Sequence, residues 1–142
     1  MPHDLQSDGR VHGVVFGCRR EDGRWLMIRR SATVAILPLK VCFPGGGALA
    51  GEPLETACIR EGLEELGVII KPLKQVWRHD FPDRPMTLFG FLAELGAGPL
   101  QPEPAEIAEV LWLSQSEALA RSDGVTTNES FLAALEAAWH NR

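Results

Sequence analysis

The sequence predicts an α+β fold, an α/β/α sandwich in which a mixed β-sheet lies between helices. The order of elements carries this expectation: several strand-like runs, one helical segment, further strand-like runs, then a second amphipathic helix. A regular βαβ array would alternate instead. The central helix also has apolar residues on two sides along part of its length, as a helix held between layers should. The length of 142 residues suits a single domain over 11–142, able to bury a core without disulfides or structural metal.

Residues 1–10 are polar and read as a flexible N-terminal arm. Val11 to Cys18 is a β-branched and aromatic run, residues 19–23 supply turn chemistry, and Trp25 to Ile28 is apolar again, which predicts a hairpin. Residues 31–40 read as loop. Val41-Cys42-Phe43 is a short strand that stops at Pro44-Gly45-Gly46-Gly47, because three glycines after a proline are not expected inside a regular element. Pro53 suits a first helical turn, no proline interrupts Leu54 to Leu66, and Gly67 stands where a C′ glycine belongs, so a helix is predicted over 53–66. Leu73 to Asp80 and Met86 to Ala93 read as strands joined by Phe81-Pro82-Asp83-Arg84-Pro85. Residues 96–104 are loop, Glu109 to Leu113 a strand, and Ser114 to Ala120 a short helix capped by Ser114 or Ser116. In Asn128 to Trp139, the side chains Phe131, Leu132, Leu135, Ala138 and Trp139 recur at helical spacing.

Lys and Arg total 14 against 19 Asp and Glu, a net charge of −5, with no basic cluster. A binder of duplex nucleic acid needs a basic face, so that class is disfavoured. No apolar run approaches the roughly 18 residues of a membrane span, and no membrane partner is expected. An acidic protein can still bind phosphates if a divalent cation sits between them. Cys18, Cys42 and Cys58 are odd in number, lack any CxxC spacing and lie in apolar stretches, which predicts buried reduced thiols. With no secretory leader at the start, these features predict a cytoplasmic protein.

On a helix turning about 100° per residue, Glu61, Glu64 and Glu65 share one arc. Ile59, Leu63 and Leu66 lie opposite and are expected in the core, while Leu54, Ala57 and Cys58 share the acids' side. Like charges at these spacings, near the C-terminal end of a helix dipole, repel by a few tenths of a kcal/mol each. A hard cation such as Mg²⁺ or Mn²⁺ would offset that, although a plainly solvated acidic face has the same look.

The surrounding spacing narrows the choice. Gly46, five residues, Glu52, seven residues, Arg60-Glu61, two residues, Glu64-Glu65, one residue, then Gly67-Val68 resembles the signature of the Nudix hydrolases, Gx5Ex7REUxEExGU with U aliphatic. Seven specified positions at roughly 6–7% each make a chance match on the order of one in a million. One position departs: Gly62 stands where the family prefers a bulkier apolar residue, at a helical cost of roughly 0.5–1 kcal/mol. The resemblance implies the Nudix fold and a pyrophosphohydrolase dependent on Mg²⁺ or Mn²⁺. It implies Glu61, Glu64 and Glu65 as metal ligands, with the carbonyl of Gly45 or Gly46 completing the site. It gives Glu52, Arg60 and Gly67 structural parts.

Beyond the signature, Arg29-Arg30, Phe81-Pro82-Asp83-Arg84 and Asn128-Glu129 look like the MutT-type branch, which hydrolyses oxidised purine nucleoside triphosphates to monophosphate and pyrophosphate. That likeness implies a small nucleotide as partner, with Arg30, Phe43, Phe81, Arg84 and Asn128 as candidate contacts. Asn128 has the paired donor and acceptor to read a purine edge, and equally the chemistry of a helix cap. Phe43, Phe81 and Trp77 suit base stacking or core packing. The family also takes an acid from a later loop; among Glu103, Glu106 and Glu109, the distance to Trp112 favours Glu106 as ligand or base. An ADP-ribose or nucleotide-sugar pyrophosphatase is the rival within the class, suggested by Pro85, and a non-catalytic nucleotide-binding module the rival outside it. Nothing in the sequence selects between a monomer and a homodimer.

Overall fold

Two-residue alternation along the strands sets the layers. In β1 (Val11–Cys18), Val14, Phe16 and Cys18 join one core cluster and Val15 packs against another; in β2 (Trp25–Arg30), Leu26 and Ile28 divide in the same way from Trp25 and Met27. The first cluster includes Ala57, Cys58 and Leu66 of α1 (Leu54–Leu66), and the second Phe131, Leu132 and Leu135 of α3 (Thr126–His140). Strands therefore lie between two helical layers, as the sequence predicts. The computed structural model describes residues 5–121, 123 and 125–142.

The remaining elements are β3 (Val41–Cys42), β4 (Gly45–Gly47), β5 (Ile70–Asp80), β6 (Met86–Leu95), β7 (Ile107–Leu113) and α2 (Gln115–Ala120). A four-stranded mixed sheet has the order β4-β1-β6-β5, with β1 parallel to β6, and a three-stranded antiparallel sheet has the order β3-β2-β7. Among the described residues, no helix is long and apolar enough to cross a membrane.

Three expectations need correction. The hairpin is one. The connection closes in a turn, with Arg20 N–H to Arg24 O at 2.8 Å and an antiparallel bridge between Arg19 and Trp25, but β1 and β2 then enter different sheets, because both edges of β1 are already taken by β4 and β6. The triple glycine is another: it forms a strand, pairing Gly45 with Val15, Gly46 with Val14 and Gly47 with Gly13. Glycine is needed there for closeness rather than for a turn, since a Cβ on Gly45 would collide with the Val14 carbonyl.

The third concerns the face of α1. Ile59 and Leu63 are 40% and 54% exposed, while Ala57, Cys58, Gly62, Glu65 and Leu66 are buried. Small side chains let the helix settle onto the sheet. A Cβ on Gly62 would run into the Ile70 side chain, so the residue that departs from the family pattern is one the packing requires. The buried side of the helix is therefore the side that carries Glu61 and Glu65.

Helix termini follow local chemistry. Gly67 ends α1 at φ 68°, donating its N–H to Leu63 O. Ser114 caps α2 in a reciprocal pair with Glu117. Asn128 is not a cap: α3 begins earlier, with Val125 at its N-cap, and Asn128 Nδ2 donates to Val41 O at 2.8 Å. The three cysteines are free, and burial pushes the Cys18 and Cys58 thiols up to about 12. Of the stretch read as an arm, residues 1–4 lie outside the described residues. Residues 6–10 make a turn closed by Gln6 N–H to Arg10 O at 2.8 Å.

Candidate active site

Arg60 organises the acidic end of α1. Its guanidinium donates through Nε and Nη2 to the two carboxylate oxygens of Glu52, each at 2.9 Å, and through Nη2 to Gly47 O at 2.8 Å. Its other terminal nitrogen reaches Glu61 Oε1 at 3.0 Å and Glu64 Oε2 at 3.2 Å. Only a planar fork with several donors can join strand, loop and helix in this way. Glu52 closes the arrangement by accepting the Leu49 N–H at 3.0 Å.

Glu61, Glu64 and Glu65 line a cleft of about 460 Å³, together with Gly45, Gly46, Gly47, Arg30, Glu103 and Glu106. Five carboxyl groups and one guanidinium, that of Arg30, thus line the cleft. Glu65 is 6% exposed and accepts the Gly45 N–H at 3.3 Å, whereas the Glu64 side chain is 58% exposed at the rim. The β4 backbone is pressed so close that a Cβ on Gly46 would overlap the Glu61 carboxyl group. Among the described residues, no three His, Cys, Asp or Glu side chains are gathered in coordinating geometry. In this arrangement Arg60 holds one oxygen of Glu61 and one of Glu64.

Burial pushes the Glu65 carboxyl up to about 8, aided by the charges of Glu61 and Glu106 and opposed by the Gly45 N–H and Arg30. Glu61 also moves up, first through burial, against the pull of Arg60. Glu52 moves down because Arg60 hydrogen-bonds its charged form. The consequence for stability has a definite sign. Between the ordinary carboxylate value of 4.5 and about 8, the folded chain keeps a proton on Glu65 that the unfolded chain has lost, so stability falls as pH rises through that window. Thermal unfolding of the EDTA-treated protein is expected to show a lower midpoint at pH 8 than at pH 5.5. A midpoint that rises over this range would contradict the assignment of Glu65.

The structure brings Glu61, Glu64, Glu65, Glu106, Gly46 and Arg30 to one cleft. Glu103 lies there too, although the spacing argument favours Glu106. The turn that carries both is tied to the helix end by Glu103 N–H to Glu65 O and to the residue just after β2 by Ser31 N–H to Glu106 O. Glu109 points elsewhere, paired with Arg29 at 2.9 Å. Phe43, Phe81, Arg84 and Asn128 do not line the cleft. Phe43 is 4% exposed and packs edge-on against Phe131, so in this structure it is a core side chain. From Phe131 a ladder of rings runs along β5 through Trp77 and His79 to Phe81, where the Arg84 guanidinium covers the ring at 4.1 Å. Trp77 and His79 stand two residues apart in that ladder, a strand periodicity that the sequence displays.

A glycine strand laid on an acidic helix, within a sandwich of this topology, defines the Nudix class of domains. Residues 10–135 match the family model described as NUDIX domain, and the chain belongs to that family. Members of the family are pyrophosphohydrolases that generally use divalent metal ions. The chain is 34% identical over 106 residues to the uncharacterized Nudix hydrolase YfcD of Escherichia coli strain K12, covering 73% of this chain and 59% of that protein. It thus spans less than two thirds of that relative's length. It is also 34% identical over 87 residues to the 8-oxo-dGTP diphosphatase of the same organism, covering 60% of this chain and 67% of that one. Its fold is similar to the crystal structure of a MutT protein from Methanosarcina mazei Go1, with a TM-score of 0.76 at 20% identity over 96% of this chain and 97% of the other.

Proposed function

We propose that the chain is a divalent-cation-dependent hydrolase of nucleoside diphosphates linked to another moiety, acting on nucleoside triphosphates, oxidised purine nucleotides among them, and releasing monophosphate and pyrophosphate. The observation that carries this reading is the cleft in which Glu61, Glu64 and Glu65 face the Gly45–Gly47 strand. Hard carboxylate oxygens are the donor set that Mg²⁺ or Mn²⁺ prefers, and the glycine strand, which has no side chains of its own, adds backbone oxygens beside them, of which Arg60 takes that of Gly47. Glu61, Glu64, Glu65 and the carbonyl of Gly45 or Gly46 would hold the cation once Glu61 and Glu64 turn from Arg60. When bound, Mg²⁺ would neutralise phosphate charge and lower the pKa of a coordinated water.

The remaining roles rest on the lining of the cleft and, for the nucleobase, on the likeness to the MutT-type branch. Glu52 and Arg60 keep the strand and helix in register, and Gly67 ends the helix behind the acids. Glu106 faces Glu61 and Glu65 across the cleft and serves as the base that orients the attacking water or as a further ligand. Arg30, which lines the same cleft, supplies positive charge for the phosphate chain. Phe81, Arg84 and Asn128 form the nucleobase side, with Phe43 supporting it from the core through Phe131. The similarity to an 8-oxo-dGTP diphosphatase supports the choice of substrate.

The test is a panel of dGTP, 8-oxo-dGTP, ADP-ribose and dinucleoside polyphosphates, assayed with Mg²⁺ for pyrophosphate and phosphate. The expected result is the highest kcat/KM on a triphosphate, with pyrophosphate as product. Preference for ADP-ribose would overturn the triphosphate reading, and turnover of none would leave a nucleotide-binding module.

A further inference from the structure

One guanidinium outside the signature holds the β5–β6 turn. Arg10 Nε donates to Thr87 Oγ1 at 2.8 Å, and its Nη2 donates to Met86 O at 2.6 Å while also reaching Phe81 O at 3.3 Å and Arg84 O at 3.5 Å. The next residue continues the contact through Val11 N–H to Pro85 O at 2.8 Å. Thr87 is fully buried and passes the connection on, its hydroxyl donating to Asp80 Oδ1 at 2.6 Å. Carbonyls at both ends of residues 81–86 thus converge on a single side chain from the N-terminal segment.

The same segment also grips the loop before α1. The Gln6 amide donates to Leu49 O at 3.0 Å and accepts the Gly51 N–H at 3.1 Å, beside the loop residue Glu52 that Arg60 holds. Gln6 and Arg10 are linked through the backbone bond that closes their turn. Residues 6–10 therefore join the acid-bearing half of the molecule to the turn that carries Phe81 and Arg84.

We propose that Arg10 is a positioning residue that fixes the 81–86 turn so that Phe81 and Arg84 meet the nucleobase, setting base preference without touching substrate. The inference rests on the functional reading above, in which this turn forms the nucleobase side. A guanidinium is required because one terminal nitrogen and Nε must serve several acceptors in fixed directions, which an ammonium cannot reproduce.

The experiment compares the full chain with Arg10→Ala, Arg10→Lys, Phe81→Ala and the Arg10→Ala/Phe81→Ala double variant, using dGTP and 8-oxo-dGTP with Mg²⁺. Arg10→Ala is expected to raise KM about tenfold, leave kcat within about twofold, and shift the ratio of kcat/KM between the two nucleotides towards one. Arg10→Lys should not restore that ratio. The double variant should be no worse than the poorer single variant, because both act through one turn. Unchanged KM and ratio in Arg10→Ala, or strictly additive losses in the double variant, would overturn the proposal. If Arg10→Ala does not fold, Thr87→Val removes the Nε acceptor and the link to Asp80 while leaving the carbonyl contacts, and a smaller shift in KM and ratio in the same direction is expected from it. Glu61→Gln run alongside separates the two levels: activity retained there sinks the reading of the site, whereas activity lost there with Arg10→Ala unaffected sinks only the role of Arg10.

Discussion

Glu65→Gln is expected to remove nearly all Mg²⁺-dependent hydrolysis, by about a thousandfold or more, while making the metal-free protein more stable at pH 8. The two effects share one cause. Glu65 is buried at 6% exposure among Glu61 and Glu106, so the folded chain bears the cost of a carboxyl group that resists ionising. A bound divalent cation would offset that cost and turn the crowding into affinity. An amide of the same shape can still accept the Gly45 N–H, but it carries no charge, so the burden and the cation site disappear together. Product release measured with and without Mg²⁺, and thermal midpoints in EDTA at pH 8, check the two signs. Activity within a few-fold of the wild type would remove the basis for the proposed chemistry.

Gly45→Ala should unfold or severely weaken the protein, by about 3 kcal/mol. The added methyl would meet the Val14 carbonyl and lie 2.8 Å from Val15 Cα, both backbone groups of a central strand that cannot swing aside. Relief requires β4 to leave β1, which would break the pairing of Gly45, Gly46 and Gly47 and withdraw the glycine wall from Glu61 and Glu65. Chemical denaturation with a two-state fit measures the loss. A change below about 1 kcal/mol would mean that the close approach of the two strands is not required.

The acidic end of the site was legible because its parts are close in sequence. Glu61, Glu64 and Glu65 share an arc by helical geometry alone, Gly67 ends the helix by its freedom at positive φ, and Arg60 lies within two turns or so of its partner Glu52. The layering was legible from the order of strand-like and helical runs. Misreadings arose where two segments compete for one space. Ile59 and Leu63 look like core residues on a helical wheel, but small Ala57, Cys58 and Gly62 let the opposite side approach Ile70. Three glycines look like a break, but β1 offers them a free edge.

Residue spacing therefore specified the helix and the shared arc of its three glutamates, since each of those features is settled within a turn or two of chain. Three-dimensional packing settled the rest: β1 and β2 parting into separate sheets, Glu103 joining Glu106 in the cleft, Phe43 turning to Phe131, and Arg10 reaching a turn more than 70 residues away. Such contacts depend on which surfaces can bury one another and which backbone groups remain unpaired, and that competition is decided by the whole chain at once.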